Sequence, residues 1–273
     1  MAINLADKYS KKVAERFALS SVTDAYAGKD YDLSGVKSIK VYSVDTVEMV
    51  DYDRSGTARF GDLTELGDTV QEMLMSRDRA FQFSIDAGNA AQQFNIKQAN
   101  KSLKRQIDEV VTPEIDKYRI EKWVAGAGTT NVDGALTKST VLEKIFTGST
   151  AMSNLLVPKS ERTLFIKESV YLHCKLADQV LGIDKLGGKA LANGCVGKLD
   201  NMNVVPVPDS YFPDGVNFFI KYKNATVDPV QLKTYRVLKD QMGIDGDVVQ
   251  GRIIYDSFVL DSRKNGIYVS AEA

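Results

Sequence analysis

The spacing of apolar positions changes character along the chain. From 36 to 50, Ile39, Val41, Val44 and Val47 sit among lysines, serines and aspartates; from 70 to 85, Phe81, Phe83 and Ile85 alternate with Gln82 and Ser84. Period-two spacing of this kind predicts strands. The stretch between them, Asp51–Asp68, carries Gly56, Gly61 and Gly67 among many charges. Residues 36–86 therefore read as one long two-stranded hairpin with an elaborate tip. Arms of about fifteen residues at ~3.3 Å each would reach roughly 50 Å. A two-stranded hairpin is marginal alone in water, so its faces need cover from elsewhere, and another subunit is the natural candidate.

The period then becomes helical. Leu103, Ile107, Val110, Val111, Ile115, Tyr118 and Lys122 fall on one stripe at three- and four-residue steps within 90–125, a helix of roughly 50 Å. Pro113 lies inside it, so either the helix kinks there or Thr112 caps a second helix. Ser139 is the expected cap of another helix, with Val141, Leu142, Ile145, Phe146, Met152, Leu155 and Leu156 on its apolar face; Pro158 ends it. Arg162–Ile166 reads as a short apolar strand, Glu168–Leu181 as a third helix, and 182–197 as a glycine-rich loop. The last third is β-rich, with strands expected at 203–207, 216–222, 232–238, 248–260 and 266–270. Residues 1–35 hold too little apolar material for an independent fold and read as an arm. The order predicts an α+β fold with non-local pairing.

Composition narrows the function. Lysine plus arginine number 35 against 36 for aspartate plus glutamate. Balance of this kind disfavours a dedicated nucleic-acid binder, whose domain is basic; it suits a protein that packs against its own copies, because long-range self-repulsion is absent. Cys174 and Cys195 are too few for a disulfide framework and read as reduced thiols of a cytoplasmic setting. No apolar run approaches the ~18 residues of a membrane span, and the opening MAINLADKYSKK lacks a signal-peptide core.

Candidate chemistry is thin. His173 is the only histidine; its neighbour Cys174 points about 100° away on a helix, so the two do not form a nucleophile–base pair. The loop Gly182–Ala190 has one residue too many before its lysine, and no Ser or Thr after it, for a phosphate loop. Gly126-Ala-Gly128 follows a helix and lacks the third glycine of a dinucleotide fingerprint. Ser34–Lys37 has serine–lysine spacing without a companion motif. Asp245-Gly-Asp247 lacks the glutamate of a calcium loop and reads as a turn. No catalytic, cofactor or metal site is expected. One charge pattern stands out: Lys97, Lys101, Lys104 and Arg105 share a helix face, either solvated or turned toward phosphate or an acidic neighbour.

Three segments carry a family resemblance: Arg77–Asp86, Val111–Ile120, and the closing run Phe218–Leu232, Gly246–Val259 and Lys264–Tyr268. In order and spacing they resemble the major capsid proteins of tailed bacteriophages, whose shell fold is shared with encapsulins. The resemblance implies four parts: an N-terminal arm (1–35), an extended hairpin loop (36–86), a peripheral domain with a long spine helix (87–148 and 228–262), and an axial domain (149–227 and 263–273). It implies a non-enzymatic protein that self-assembles through pentamers and hexamers into an icosahedral shell around a phage genome. On that reading Ile39, Val41, Arg54, Arg59, Asp62, Glu65, Phe81 and Phe83 contact neighbouring subunits, and the basic face meets double-stranded DNA non-specifically or an acidic neighbour. The arm begins almost at once after Met1, so a separate scaffolding protein, or none, is expected. Portal and decoration proteins are further expected partners, with assembly in the host cytoplasm and the virion as destination. An encapsulin-like nanocompartment shell is the first alternative, and a soluble enzyme with an unrecognised site the second.

Overall fold

The computed structural model describes residues 20–28, 31, 38–55, 57–88, 98–177, 197–239, 241 and 243–272. Its largest layer is a six-stranded mixed sheet, in the order β4 (Thr129–Val132), β13 (Ile267–Ala271), β8 (Val216–Tyr222), β5 (Arg162–Lys167), β7 (Met202–Val207), β6 (Gly197–Leu199). Strands buried on both faces read as continuous apolar runs, and Leu164-Phe165-Ile166 and Phe218-Phe219-Ile220 are such runs, all fully buried.

Alternation divides the side chains between two cores. Leu164, Ile166, Val204, Phe218, Ile220 and Tyr268 pack with α3 (Val141–Asn154) and α4 (Glu168–Leu176). Phe165, Val205, Phe219 and Val269 face the other way and meet Ile120 and Trp123 of the long helix, together with Val22 and Tyr26. An offset Phe165–Phe219 stack, with centroids 4.8 Å apart, lies at the centre of that second core. Residues 20–28 are thus no loose arm: Val22, Tyr26 and Ala27 are buried core residues.

The long helix comprises α1 (Ala99–Gln106) and α2 (Thr112–Ala125), joined by a π turn at Ile107–Val111. Thr112 does not cap a second helix: with φ −61° and ψ −49° it continues the helix out of the π turn. Proline offers no N–H to the preceding turn, and the chain instead widens by one residue, with the Thr112 N–H donating to the Ile107 carbonyl. That extra residue rotates the buried face. Val111 lies on it before the proline; beyond, Asp116, Arg119, Ile120 and Trp123 turn inward, while Lys122, on the expected stripe, is exposed. The helix bridges two layers, because its first half packs on a second sheet through Ala99, Leu103, Val111 and Ile115.

That second sheet has the order β10 (Val230–Lys239), β11 (Gly246–Tyr255), β3 (Arg77–Asp86). It corrects the hairpin reading. Phe81 and Phe83 lie in β3, paired with Gly251 and Val249 of β11, and both are partly buried under the long helix. They pack within their own chain and lie outside the hairpin. The hairpin itself is β1 (Ser38–Val44) on β2 (Asp68–Leu74), seven residues in each arm, or roughly 24 Å. Period two persists through 70–85, but Met75-Ser76 interrupts the ladder and sends the second half to another sheet.

Two further differences concern ends. The helix after Ser139 is preceded by Thr140 and stops at Asn154; Leu156 has φ 59°, and Leu155 and Leu156 are exposed. The expected domain limits cut elements: 148/149 falls inside α3, β4 belongs to the six-stranded layer, and β3 of the expected hairpin loop belongs to the three-stranded sheet. The expected Asp245-Gly-Asp247 turn is displaced: Gly246 and Asp247 already pair in β11, opposite Asp86 and Ile85, and the chain turns ahead of them, where the Ile244 N–H donates to the Gln241 carbonyl at 3.0 Å.

Candidate assembly surface

Residues 45–67 connect the hairpin arms, and every described one of them is exposed. The segment is not polar. Met49 and Leu63 are fully exposed and Phe60 is 85% exposed; Val47, Val50, Tyr52 and Leu66 are also turned to solvent. Large apolar side chains gathered at a protruding tip mark an interaction site. The tip has local order of its own: Tyr52 and Phe60 meet edge to face at 5.0 Å, the Asp53 N–H donates to the Arg59 carbonyl at 3.2 Å, and Asp53 Oδ1 accepts from the Ser55 N–H and hydroxyl at 2.8 Å. Arg54, Arg59, Asp62 and Glu65 all lie on this exposed segment. Of the other expected contact residues, Val41 is half-buried against Met73, Met75, Val227 and Leu260 of its own chain, and Ile39 sits opposite Met73 in the ladder.

The root of the hairpin is fixed. Gln71 Nε2 donates to the Val259 carbonyl at 2.8 Å and its Oε1 accepts the Asp261 N–H at 3.0 Å, while Met73 is fully buried beside them. Just beyond, Asp256 accepts from the Ser76 N–H at 2.7 Å, the Ser76 hydroxyl at 2.8 Å and Tyr118 at 2.7 Å.

Asp256 is one of three buried aspartates around the long helix. Asp228 accepts from Trp123 Nε1 (2.9 Å), Ser257 (2.5 Å), Thr226 (2.8 Å) and the Gly28 N–H (3.0 Å). Asp116 accepts from Ser21 (2.8 Å), the Val22 N–H (3.0 Å) and Thr23 (2.5 Å). A buried carboxylate is tolerable only when its oxygens are satisfied, and each of these is met by at least three donors. Gly28 must be glycine, since a Cβ there would lie 1.7 Å from the Thr226 carbonyl oxygen. Lys221 lies in the same region, its Nζ 2.8 Å from the Tyr26 carbonyl and 4.4 Å from the Trp123 ring centre. Burial pulls this ammonium down to about 8, with Asp228 opposing the shift.

These hubs were missed in the sequence, though one signal was present. Asp256 and Ser257 interrupt the apolar run Ile253–Val259, and an acid in such a run is rarely buried without partners.

The remaining sequence candidates separate. Lys101 and Lys104 are exposed on α1, whereas Arg105 pairs with Glu109 at 3.6 Å; Lys97 lies outside the described residues, as do Ser34–Lys37, the Gly182–Ala190 loop and Cys195. Cys174 is a buried core thiol pushed up to about 12 by desolvation, and partly exposed His173 is next to it on α4. The Gly128 N–H donates to the Lys264 carbonyl at 2.9 Å, and a Cβ there would lie 2.6 Å from that oxygen; the glycine permits a close chain crossing. Among the described residues no cluster of three or more His, Cys, Asp or Glu is placed to hold a metal, and no helix is long and apolar enough to span a membrane.

The chain thus combines a hairpin, a long helix shared by two sheets, and a six-stranded layer with α3 and α4 on one face and the long helix on the other. No family model and no curated protein matches the sequence. Solved structures do. A chain from Mycobacterium phage Che8 superposes with TM-score 0.78 at 16% identity, covering 98% of this chain and 97% of that one. The capsid of cyanophage P-SCSP1u gives 0.78 at 12% identity over 98% and 93%. The capsid of Myoviridae phage XM1 gives 0.69 at 11% identity over 100% and 99%. The fold is therefore the tailed-phage capsid fold over nearly the whole length, with almost no shared sequence.

Proposed function

We propose that this chain is the major capsid protein of a tailed bacteriophage: many copies close into an icosahedral shell, and the 45–67 segment of each lies over a neighbour. The observation that carries this is the inversion at the tip, where Met49, Phe60 and Leu63 face solvent on a hairpin whose root is fixed by Gln71 and Met73. A side chain held outward by a rigid root is covered only by another molecule. An interface of standard size takes about 800 Å² from each partner, and repetition at every subunit makes a modest contact decisive for closure. The charges of Arg54, Arg59, Asp62 and Glu65 set orientation more than strength.

In this reading 1–35 is the arm, its last part seated in the core, and the three-stranded sheet with α1 is the peripheral domain. The six-stranded layer is the axial domain. The protein acts as structure and not as an enzyme. Lys101 and Lys104, with Lys97 and Arg105, face packaged DNA or an acidic neighbour. A portal and decoration proteins, with or without a scaffolding protein, are its further partners, with assembly in the host cytoplasm. Electron microscopy of the purified protein, alone and co-expressed with its scaffold, tests the proposal. Capsomers or closed shells are expected; a monodisperse monomer at high concentration under both conditions contradicts it.

A further inference from the structure

The root of the hairpin and the end of the N-terminal segment are far apart in sequence, yet they hang on one chain of hydrogen bonds. Ser76, the first residue beyond the hairpin core, donates twice to Asp256 Oδ2. Asp256 Oδ1 accepts the Ser257 N–H at 2.8 Å. The Ser257 hydroxyl donates to Asp228 Oδ1 at 2.5 Å. Asp228 and Gly28 then grip each other twice, through the Gly28 N–H to Oδ2 at 3.0 Å and the Asp228 N–H to the Gly28 carbonyl at 2.9 Å. Among the described residues Ser257 bonds to both carboxylates, one with its main chain and one with its side chain, and it is buried. Charge-assisted bonds in a water-poor interior are the strong ones and reinforce one another.

We propose that Ser257 is a positioning residue that makes the hairpin root and the 20–28 segment move as one body on the long helix. Docking of a hairpin on a neighbour, the contact proposed above, then also sets the orientation of the 20–28 segment in its own subunit. Neither carboxylate depends on Ser257 for its burial. Asp228 keeps Trp123, Thr226 and Gly28, and Asp256 keeps Ser76 and Tyr118, so removal of the hydroxyl cuts the link and leaves both hubs.

The test is hydrogen–deuterium exchange of the whole unassembled chain, comparing wild type with Ser257→Ala and Ser257→Thr. In the alanine variant the Ser76 and Gly28 amides both exchange about tenfold faster, the effect of one charge-assisted bond, while β5 and β8 are unchanged. Ser257→Thr, which keeps the hydroxyl, restores both. A second readout separates linkage from general softening. The stability effects of Ser76→Ala and Thr226→Ala are non-additive in the wild type and additive in the Ser257→Ala background. Exchange that rises at only one of the two amides, or an additive pair in the wild type, overturns the linkage. Exchange is read on the chain whether or not shells form, so failure here and failure of the shell proposal are distinguishable.

Discussion

The tip of the hairpin and its root obey opposite rules. In 45–67 methionine, leucine and phenylalanine face water; around the long helix Asp116, Asp228 and Asp256 are sealed from it. A self-contained fold would reverse both. The contrast teaches that burial in this chain is divided between two occasions. The hubs spend their polar partners within one subunit, to fix where the hairpin and the N-terminal segment emerge. On the function proposed above, the tip keeps its apolar surface for a neighbouring subunit.

The sharpest way to break the comparison is at the root. Asp228→Ala strands Trp123 Nε1, the Ser257 and Thr226 hydroxyls and the Gly28 N–H together. Unsatisfied buried donors cost about 1–3 kcal/mol each, without simple additivity. A loss of about 3–5 kcal/mol is expected by urea denaturation, or failure to fold, with Asp228→Asn intermediate. Stability within about 0.5 kcal/mol of wild type would show that the hub holds nothing.

Lys221 sharpens the same half of the contrast through pH. Its folded value, about 8, lies below its ordinary 10.5, chiefly through desolvation, with Asp228 favouring the charge and Arg119 and Lys223 opposing it. At pH 7 both folded and unfolded chains carry the proton, and the folded state bears the full penalty. Above about 8 the folded chain releases it first, the unfolded chain binds more protons, and stability rises with pH. From pH 8 to 9 the gain is about 1 kcal/mol. Cys174, raised from 9.0 to about 12, acts in the opposite sense above 9, so the rise is confined to that window. Denaturation at pH 7, 8 and 9 should show the rise in the wild type and no rise in Lys221→Met.

How much of this was legible in the sequence differs between the two regions. Strands β5, β7 and β8 were readable because Leu164-Phe165-Ile166, Val204-Val205 and Phe218-Phe219-Ile220 are apolar on both faces. The tip's exposed position followed from its glycines and charges. The apparent continuity of 70–85 misled, because period two does not say which partner a strand takes, and the break at Met75-Ser76 assigns Phe81 and Phe83 to β11. The π turn was hidden for a related reason: a one-residue insertion in a helix leaves composition unchanged and shifts only the phase. The hubs were least legible. Asp116, Asp228 and Asp256 look like ordinary surface acids until the fold brings positions 21–28, 76, 226 and 257 to them.

The smallest effect is expected on the exposed basic face. Replacing the exposed Lys101 and Lys104 by glutamine should leave the melting temperature within about 2 °C, since exposed charges contribute little. Genome retention, or shell stability, should fall and lose part of its salt dependence. Wild-type behaviour in both would make this a solvated face.

The central claim is that the tip is apolar for a neighbour's sake. Its most direct test is the triple variant Met49→Ser, Phe60→Ser, Leu63→Ser, followed by thermal melting of the unassembled protein and electron microscopy of the assembly reaction. The three side chains are exposed in the single chain, and surface substitutions of this kind stay within about 0.5 kcal/mol. The account predicts an unchanged melting temperature and the absence of closed shells, or only aberrant ones. Normal shells from the variant, or an unfolded subunit, would contradict it.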